Sequence, residues 1–320
     1  MKKDTDNVKS GRKSTCRTVP FLEFMEKRIK FLLSCQRYGT AQNYKRAKSS
    51  FEKFLNGKDI SFDKITPHLI DDYNDWLMQR NLVRNSVSFY MRVLRAVYNS
   101  GVRKGVGKQQ FPFKEVYTGV DRTRKRFVGK RILEMLMHLP LDDKDLELAR
   151  DMFMFSIYSR GMTFVDMVFL RKEDMENGLI IYKRRKTKQM LCVKIERPIR
   201  RIISRYEKMY PDSPFIFPIM KEKDPEKSYR IYQKAIGIYN YRLGKLSELI
   251  GKGVNLTSYT SRHTWASMAK GMHIPVGVIS ECMGHTSEKT TKIYLASLDH
   301  EVIDSANRKV LKALDRLNVI

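Results

Sequence analysis

Residues 283–294 of the chain read MGHTSEKTTKIY. Gly284 follows an apolar pattern of helical spacing, and a glycine there suits the left-handed residue that ends many helices. The threonine and serine that follow can cap a new helix, so we expect His285 in a tight connection and Tyr294 two turns into the next helix. This places a candidate acid/base near a candidate nucleophile. The stretch also fits a simple helix break before a surface helix, and the rest of the chain has to decide between them.

The chain is strongly basic. Its 320 residues include 62 Lys and Arg against 35 Asp and Glu, a formal net charge of +27, and both halves share the excess. That length allows two domains with separate cores. The charge favours a polyanionic partner such as nucleic acid, although an unspecialised basic protein has the same signature.

The cysteines indicate neither a metal site nor a disulfide framework. Cys16, Cys35, Cys192 and Cys282 lie far apart and form no Cys-x-x-Cys pair, which fits a reducing cytoplasm. The N-terminus lacks the apolar core of a signal peptide, and no run approaches about 18 apolar residues. We therefore expect a cytoplasmic protein with no membrane-spanning segment.

Residues 20–104 are predicted to form a four-helix domain. Apolar residues recur there with the 3.6-residue period, and Thr66-Pro67 is typical of a helix start. Residues 1–19 are predicted to be a disordered basic arm, and residues 105–128 a charged linker. Basic residues on the polar helix faces are candidate contacts to DNA phosphates, each steepening the salt dependence of binding: Lys45, Arg46, Arg84, Arg92 and Arg95.

Residues 129–320 are predicted to form a second domain, mostly helical with one small sheet. Two β-like runs, 179–182 and 190–193, flank the sequence KRRKTKQ, which indicates a hairpin with a very basic tip. Helices are predicted over 130–139, 144–158, 197–209, 228–250, 261–271, 276–283, 287–295 and 301–314. The last of these either closes its own core or docks onto a neighbouring protomer. The fold class is mainly α with a small β-sheet.

Five residues stand out by their order and spacing: Arg160, Lys186, Arg262, His285 and Tyr294. This set resembles the catalytic residues of the tyrosine recombinases, the phage-integrase family. The resemblance extends over residues 20–314, because the four-helix unit matches the family's core-binding domain. It implies a core-binding domain followed by a catalytic domain with a basic hairpin.

The chain departs from the family pattern at the first arginine. The family usually has Gly-x-Arg, but Gly161-Met162 is followed here by Thr163. Arg160, just before the glycine, is assigned that role, since a long guanidinium side chain displaced by three residues can still reach the same phosphate. The alternative is an exposed helix-terminal arginine. Thr163 with Asp166 instead indicates a capping box.

A second departure is Tyr259, which stands where the family has the histidine of His-x-x-Arg. Tyr259 is either a positioning hydrogen-bond donor or a core-packing tyrosine, because its hydroxyl cannot serve as a neutral base at pH 7 as histidine can. This leaves His285 as the one assigned site residue whose pKa we expect near neutrality.

The resemblance implies phosphoryl transfer at a DNA phosphodiester. Arg160 and Arg262 would bind the non-bridging oxygens, and Lys186 would protonate the departing 5′ oxygen while Tyr294 attacks. His285 would orient the phosphate or manage the proton. No cofactor is implied, and the set lacks the carboxylate cluster that would hold magnesium. The remaining hairpin cations are expected to bind DNA backbone: Lys183, Arg184, Arg185 and Lys188.

The function implied is site-specific DNA recombination of the integrase, excisionase or invertase type, through a 3′-phosphotyrosyl intermediate. Two alternatives remain open: a relative that binds DNA with weakened catalysis, and strand cutting and resealing like that of a type IB topoisomerase. The partner implied is double-stranded DNA, with a monomer in the free state, a homotetramer on paired sites and accessory proteins that bend DNA.

Overall fold

A computed structural model describes residues 19–121, 127–222 and 224–295, with residues 307, 308 and 311. The chain divides into two compact units, one ending at Asp121 and the other beginning at Arg122. The predicted arm, apart from residue 19, and the predicted helix 301–314, apart from three residues, lie outside the described residues. Within the described part of the chain, none of the helices combines the length and the hydrophobicity that a membrane span requires.

The first unit contains the four predicted helices, α1 (Phe21–Ser34), α2 (Tyr38–Phe54), α3 (Pro67–Gln79) and α4 (Arg84–Arg103). The predicted helix start at Thr66-Pro67 is confirmed, and Thr66 caps α3, since its hydroxyl accepts a hydrogen bond from the Leu69 amide at 3.2 Å. The core is aromatic: Phe21, Phe51, Phe62, Tyr73 and Tyr98 are buried and make edge or stacked ring contacts.

The segment after α4 packs back onto this unit. Phe113 is buried in its core, the Tyr98 hydroxyl donates to the Lys108 carbonyl at 2.8 Å, and the Asp121 amide donates to Asn85 Oδ1 at 2.8 Å. The predicted linker, 105–128, thus includes residues that complete the first unit, and residues 122–126 lie outside the described part of the chain.

The second unit is mostly helical around a three-stranded antiparallel sheet in the order β1-β2-β3. The hairpin is confirmed, because Leu179 pairs with Lys194 and Lys183 with Met190. The short β1 was not predicted. The elements are α5 (Lys130–His138), α6 (Lys144–Tyr158), α7 (Phe164–Val168), β1 (Met175–Glu176), β2 (Leu179–Lys183), β3 (Met190–Lys194), α8 (Arg197–Met209), α9 (Pro225–Ile250), α10 (Thr260–Gly271), α11 (Val276–Cys282) and α12 (Glu288–Tyr294).

Helix α6 forms the centre of the second unit. Its residues 149 and 151–157 are all buried, and the helix packs against α8, α9 and α10. The second half of α6 is therefore covered by neighbouring helices on nearly every side. Its C-terminal end therefore delivers residues 160–163 to the start of α10, where Arg262 lies.

A small separate cluster holds the last described helices together. Ala266 and Ala269 of α10 pack with Ile279, Met283 and Leu295. This cluster fixes the turn between α11 and α12, which carries Gly284 and His285.

Candidate active site

Gly284 fits the turn for two physical reasons. Its φ of +60° lies in the left-handed region, as the sequence predicted. A Cβ atom on Gly284 would also lie 2.9 Å from Leu191 Cδ1 and 3.1 Å from Arg184 Cδ. The absent side chain therefore lets the hairpin approach the turn, and the Gly284 carbonyl accepts hydrogen bonds from Arg184 Nη1 and, at 3.4 Å, from the Thr187 hydroxyl.

Arg262 is the buried cation at the centre of the site. It is only 3% exposed. Its Nη1 donates to the Gly161 carbonyl at 2.7 Å, and its Nη2 donates to the Met283 carbonyl at 2.5 Å. The guanidinium is thereby held between the loop after α6 and the turn after α11. Nη2 also lies 3.1 Å from His285 Nε2.

This contact fixes the protonation of His285. Arginine has only donors, so Nε2 must accept and the proton sits on Nδ1. Nδ1 accordingly donates to the Thr291 hydroxyl, 2.8 Å away on α12. Thr291 is fully buried, and α12 is thus tied to the imidazole.

Burial, followed by the charges of Arg262, Arg184 and Lys186, lowers the pKa of His285 from 6.5 to about 4. The expectation that this pKa lies near neutrality is therefore wrong. Sequence shows that a histidine is present, but burial and the three cations come from tertiary packing. His285 is a neutral imidazole at pH 7.

Lys186 lies at the exposed tip of the hairpin, and its charge acts on His285. Lys183 and Lys188 are also exposed. Arg185 stacks on Phe169, with Cζ 3.6 Å from the ring centre. These positions leave the three lysines facing solvent.

Arg184 is placed differently from its neighbours. It is 5% exposed, so it is not one of the solvent-facing cations that the sequence analysis placed on the hairpin. The sequence held a signal for this: Ile180 and Tyr182 are the buried positions of β2, and the two-residue period of a strand puts residue 184 on the same face.

Arg160 follows α6 with a φ of +60°. Its Nη1 donates to the Cys192 carbonyl of β3 at 3.2 Å. Thr163 is the N-cap residue of α7, but the predicted capping box is wrong, because the hydroxyl donates to Asp166 Oδ2 at 2.6 Å instead of accepting a backbone hydrogen bond. The other oxygen of Asp166 accepts from the Arg185 amide at 2.9 Å.

Tyr259 is the N-cap residue of α10 and is 53% exposed, with its ring 6.3 Å from that of His263. A core-packing role for Tyr259 is therefore wrong. Tyr294 is the last residue of α12, but its side chain lies outside the described part of the chain.

The cations assigned to DNA in the first unit fall into two groups. Lys45 and Arg46 are exposed on α2 and line a groove with Arg80, the residue that follows α3. Arg84 instead lies over the Tyr117 ring and pairs with Asp121 at 3.5 Å, while Arg95 donates to the Thr118 hydroxyl at 2.8 Å. Arg92 Nε donates to the Ser88 carbonyl at 3.3 Å.

Buried guanidinium groups beside a neutral imidazole and a hairpin lysine suit the binding of an anionic ester. Comparison with known proteins agrees with this chemistry. A model of the phage integrase SAM-like domain matches residues 20–116, and a model of the phage integrase family matches residues 127–301. The chain belongs to the phage integrase family, the tyrosine recombinases.

Individual relatives are distant. A tyrosine recombinase of Pseudothermotoga lettingae is 23% identical over 266 residues, which cover 80% of this chain and 86% of that protein. The integrase of transposon Tn1549, solved with transposon right-end DNA, superposes with a TM-score of 0.66 at 13% identity over 92% of this chain and 100% of that one. Lambda integrase, solved as a tetramer on a Holliday junction, gives 0.60 at 13% identity over 87% and 78%. These structures share the fold.

Proposed function

We propose that this chain cuts and rejoins DNA at specific sites through a phosphotyrosyl intermediate on Tyr294. The observation that carries the proposal is the hydrogen-bonded chain from Arg262 through His285 to Thr291. This series of hydrogen bonds links the buried guanidinium of Arg262, the proposed phosphate-binding group, to the helix that ends at Tyr294. Thr291 and Tyr294 are three residues apart on α12, a spacing that puts two positions on the same side of a helix.

The chemistry is a transesterification. The Tyr294 oxygen bonds to phosphorus while the bond to the 5′ oxygen breaks, and Lys186 gives its proton to that oxygen. The product is a 3′-phosphotyrosine and a free 5′ hydroxyl. The reverse attack by a 5′ hydroxyl rejoins the strand, and no nucleotide cofactor is consumed because one ester replaces another.

His285 would manage the proton of the attacking tyrosine. In the free protein its Nε2 lone pair is engaged by Arg262. A bound phosphate attracts the guanidinium, since charge-assisted bonds to an anion are stronger than one to a neutral imidazole. Nε2 then becomes available to accept the tyrosine proton, and the phosphate charge raises the pKa of His285 from about 4.

The proposed partner is double-stranded DNA, met by a cytoplasmic monomer that assembles as a homotetramer on paired sites, with accessory proteins that bend DNA. The net charge of +27 and the exposed Lys45, Arg46 and hairpin lysines support the DNA partner. The tetramer is supported by family resemblance and by the assembly of lambda integrase on a junction.

A second candidate is a DNA-binding relative with weakened catalysis. It is favoured by one observation: Thr163 stands at the family's first arginine position and donates its hydroxyl to Asp166 rather than presenting a positive charge. Cutting and resealing like that of a type IB topoisomerase would use the same groups. It would differ because no strands are exchanged between two DNA duplexes.

The test uses a pool of short duplexes with random sequence, each nicked so that the cleaved end diffuses away and resealing is blocked. Protein is added, and DNA that stays attached in hot detergent is recovered and sequenced. We expect one sequence family to be enriched by the wild-type chain and no attachment with Tyr294→Phe. Tyr241→Phe, which removes the hydroxyl of an exposed tyrosine on α9, is the matched control and should attach normally.

Attachment that survives in Tyr294→Phe would contradict the nucleophile. DNA binding without attachment by the wild-type chain would favour the weakened relative. The topoisomerase-like activity would be favoured by a different outcome. The wild-type chain would then attach to DNA and relax supercoiled DNA, but it would exchange no strands between two duplexes that carry the recovered sequence.

A further inference from the structure

The family's first arginine position holds Thr163 in this chain, and the hairpin is connected to it through Asp166. The Thr163 hydroxyl donates to one oxygen of Asp166 at 2.6 Å. The other oxygen accepts from the Arg185 backbone amide at 2.9 Å. The Asp166 carboxylate therefore connects the hairpin backbone at Arg185 to Thr163, which stands at the family's arginine position.

Arg184, the neighbour of Arg185 on the hairpin, has a buried guanidinium group. It is 5% exposed, and its Nη1 donates to the Gly284 carbonyl. Its Nε is buried and meets no acceptor among the residues that the structure describes. None of the ion pairs within that part of the chain includes Arg184. A buried guanidinium with an unused donor and no carboxylate partner is costly unless an anion completes it.

Arg160, the sequence-based choice for the first arginine, is directed elsewhere. It donates to the Cys192 carbonyl in the middle of β3. Arg184 instead shares the Gly284 turn with Arg262, since Arg262 donates to the neighbouring Met283 carbonyl. The charges that depress the pKa of His285 are those of Arg262, Arg184 and Lys186.

We propose that Arg184 has taken over the phosphate-binding role that the family gives to the arginine at position 163. Its Nη1 holds the Gly284 turn, and its Nε donates to a non-bridging oxygen of the scissile phosphate opposite Arg262. The inference rests on the proposed function and deepens it. Arg184 and Lys186 then reach the phosphate from one hairpin, so docking of the hairpin on Gly284 delivers two catalytic cations together.

The test compares two DNA substrates. One is the nicked duplex that the wild-type chain selects from the random pool, and the other carries one methylphosphonate at the cleaved position, which removes the negative charge of the non-bridging oxygen. Arg184→Ala should lose a factor of roughly 100 to 1,000 in cleavage rate on the phosphate. On the methylphosphonate the loss should largely disappear, because the charge that Arg184 binds is gone. A purely structural role would reduce cleavage of both substrates equally.

Arg184→Lys keeps the positive charge without the planar fork, and it should fall between the wild type and Arg184→Ala with the same dependence on the substrate's charge. It also carries the test if the alanine variant does not fold, which thermal unfolding and DNA binding will show. Adding Thr163→Arg to Arg184→Ala should restore part of the rate. Arg230→Ala, at an exposed arginine of α9 paired with Glu226, is the control and should leave both rates unchanged.

A charge-dependent loss in Arg160→Ala together with none in Arg184→Ala would overturn the inference and return the role to Arg160. Equal losses of Arg184→Ala on both substrates would also overturn it. Failure of the proposed function is distinct, because the wild-type chain itself would then form no covalent complex.

Discussion

Arg262 Nη2 lies 3.1 Å from His285 Nε2, and the contact joins a group that can only donate to a ring that must then accept. His285 is consequently neutral, with its proton on the nitrogen that faces Thr291. The free site is therefore held in a state ready to bind an anion.

The first prediction concerns the protonation of His285. We expect its imidazole to titrate with a pKa of about 4 in the free protein, because burial and three cations disfavour the charged ring. Nitrogen-15 NMR, assigned by the loss of signals in His285→Gln, measures it. Adding the selected duplex with Tyr294→Phe protein should raise this pKa. A free-protein pKa near 6.5 would contradict the account.

The second concerns stability and pH. The folded pKa of His285, about 4, lies below the ordinary value of 6.5, so the unfolded chain binds more protons between these values. The free energy of unfolding should therefore fall as pH is lowered through this window and level off below it. The part due to His285 is roughly 1 to 2 kcal/mol, reduced from the full pKa difference because the ring is partly exposed.

Chemical denaturation at a series of pH values checks this prediction. His285→Gln should show a shallower slope between pH 4 and 6.5. His68→Gln removes a histidine whose side chain is 88% exposed and should retain the wild-type slope. Identical slopes in all three proteins would rule out the depressed pKa.

The third concerns Gly284. Gly284→Ala should destabilise the second unit by about 1 to 2 kcal/mol from the left-handed φ alone, with a further loss because the new Cβ would lie 2.9 Å from Leu191. Gly57→Ala is the matched control, since Gly57 also has a positive φ but nothing within 4 Å of a Cβ. Equal losses of stability in the two variants would show that the hairpin does not dock on Gly284.

The fourth concerns Thr291. Thr291→Val keeps the shape of the side chain but removes the acceptor for His285 Nδ1–H, a loss of one hydrogen bond that costs about 0.5 to 1.5 kcal/mol. Unfolding by denaturant measures the loss, and cleavage should slow because the imidazole is released from α12. Thr290→Val, at the exposed neighbouring position, should have little effect on either property.

The fifth concerns DNA binding by the first unit. Lys45→Ala and Arg46→Ala should each lower the slope of log affinity against log salt by about 0.9, the value for one neutralised phosphate in duplex DNA. Lys27→Ala, which removes an exposed lysine paired with Glu23 on α1, should leave the slope unchanged. An unchanged slope in both groove variants would place the DNA elsewhere.

Some features of the fold and of the site could be predicted from the sequence. The two β-like runs 179–182 and 190–193 around a basic segment predicted the hairpin because a strand pattern is local, and Gly284 took the left-handed conformation that its position after an apolar helix favours. The family resemblance on Arg160, Lys186, Arg262, His285 and Tyr294 led to the correct family.

The pKa of His285 and the contact of Arg184 with Gly284 could not be predicted in the same way. Arg184 lies 100 residues from the carbonyl it contacts, and the depressed pKa of His285 arises from burial and from cations on two distant segments. Such effects depend on which segments meet after folding. Five of the seven residues 183–189 are basic, so composition alone does not show that Arg184 is the buried one.

The most direct measurement is the chemical identity of the DNA–protein link. The wild-type chain, trapped on its selected nicked duplex, is digested with nuclease and trypsin, and the modified peptide is sequenced by mass spectrometry. We predict a nucleotide joined through its 3′ phosphate to Tyr294, in the tryptic peptide that begins at Ile293. A nucleotide on Tyr259 or any other residue, or a link through a 5′ phosphate, would contradict the account.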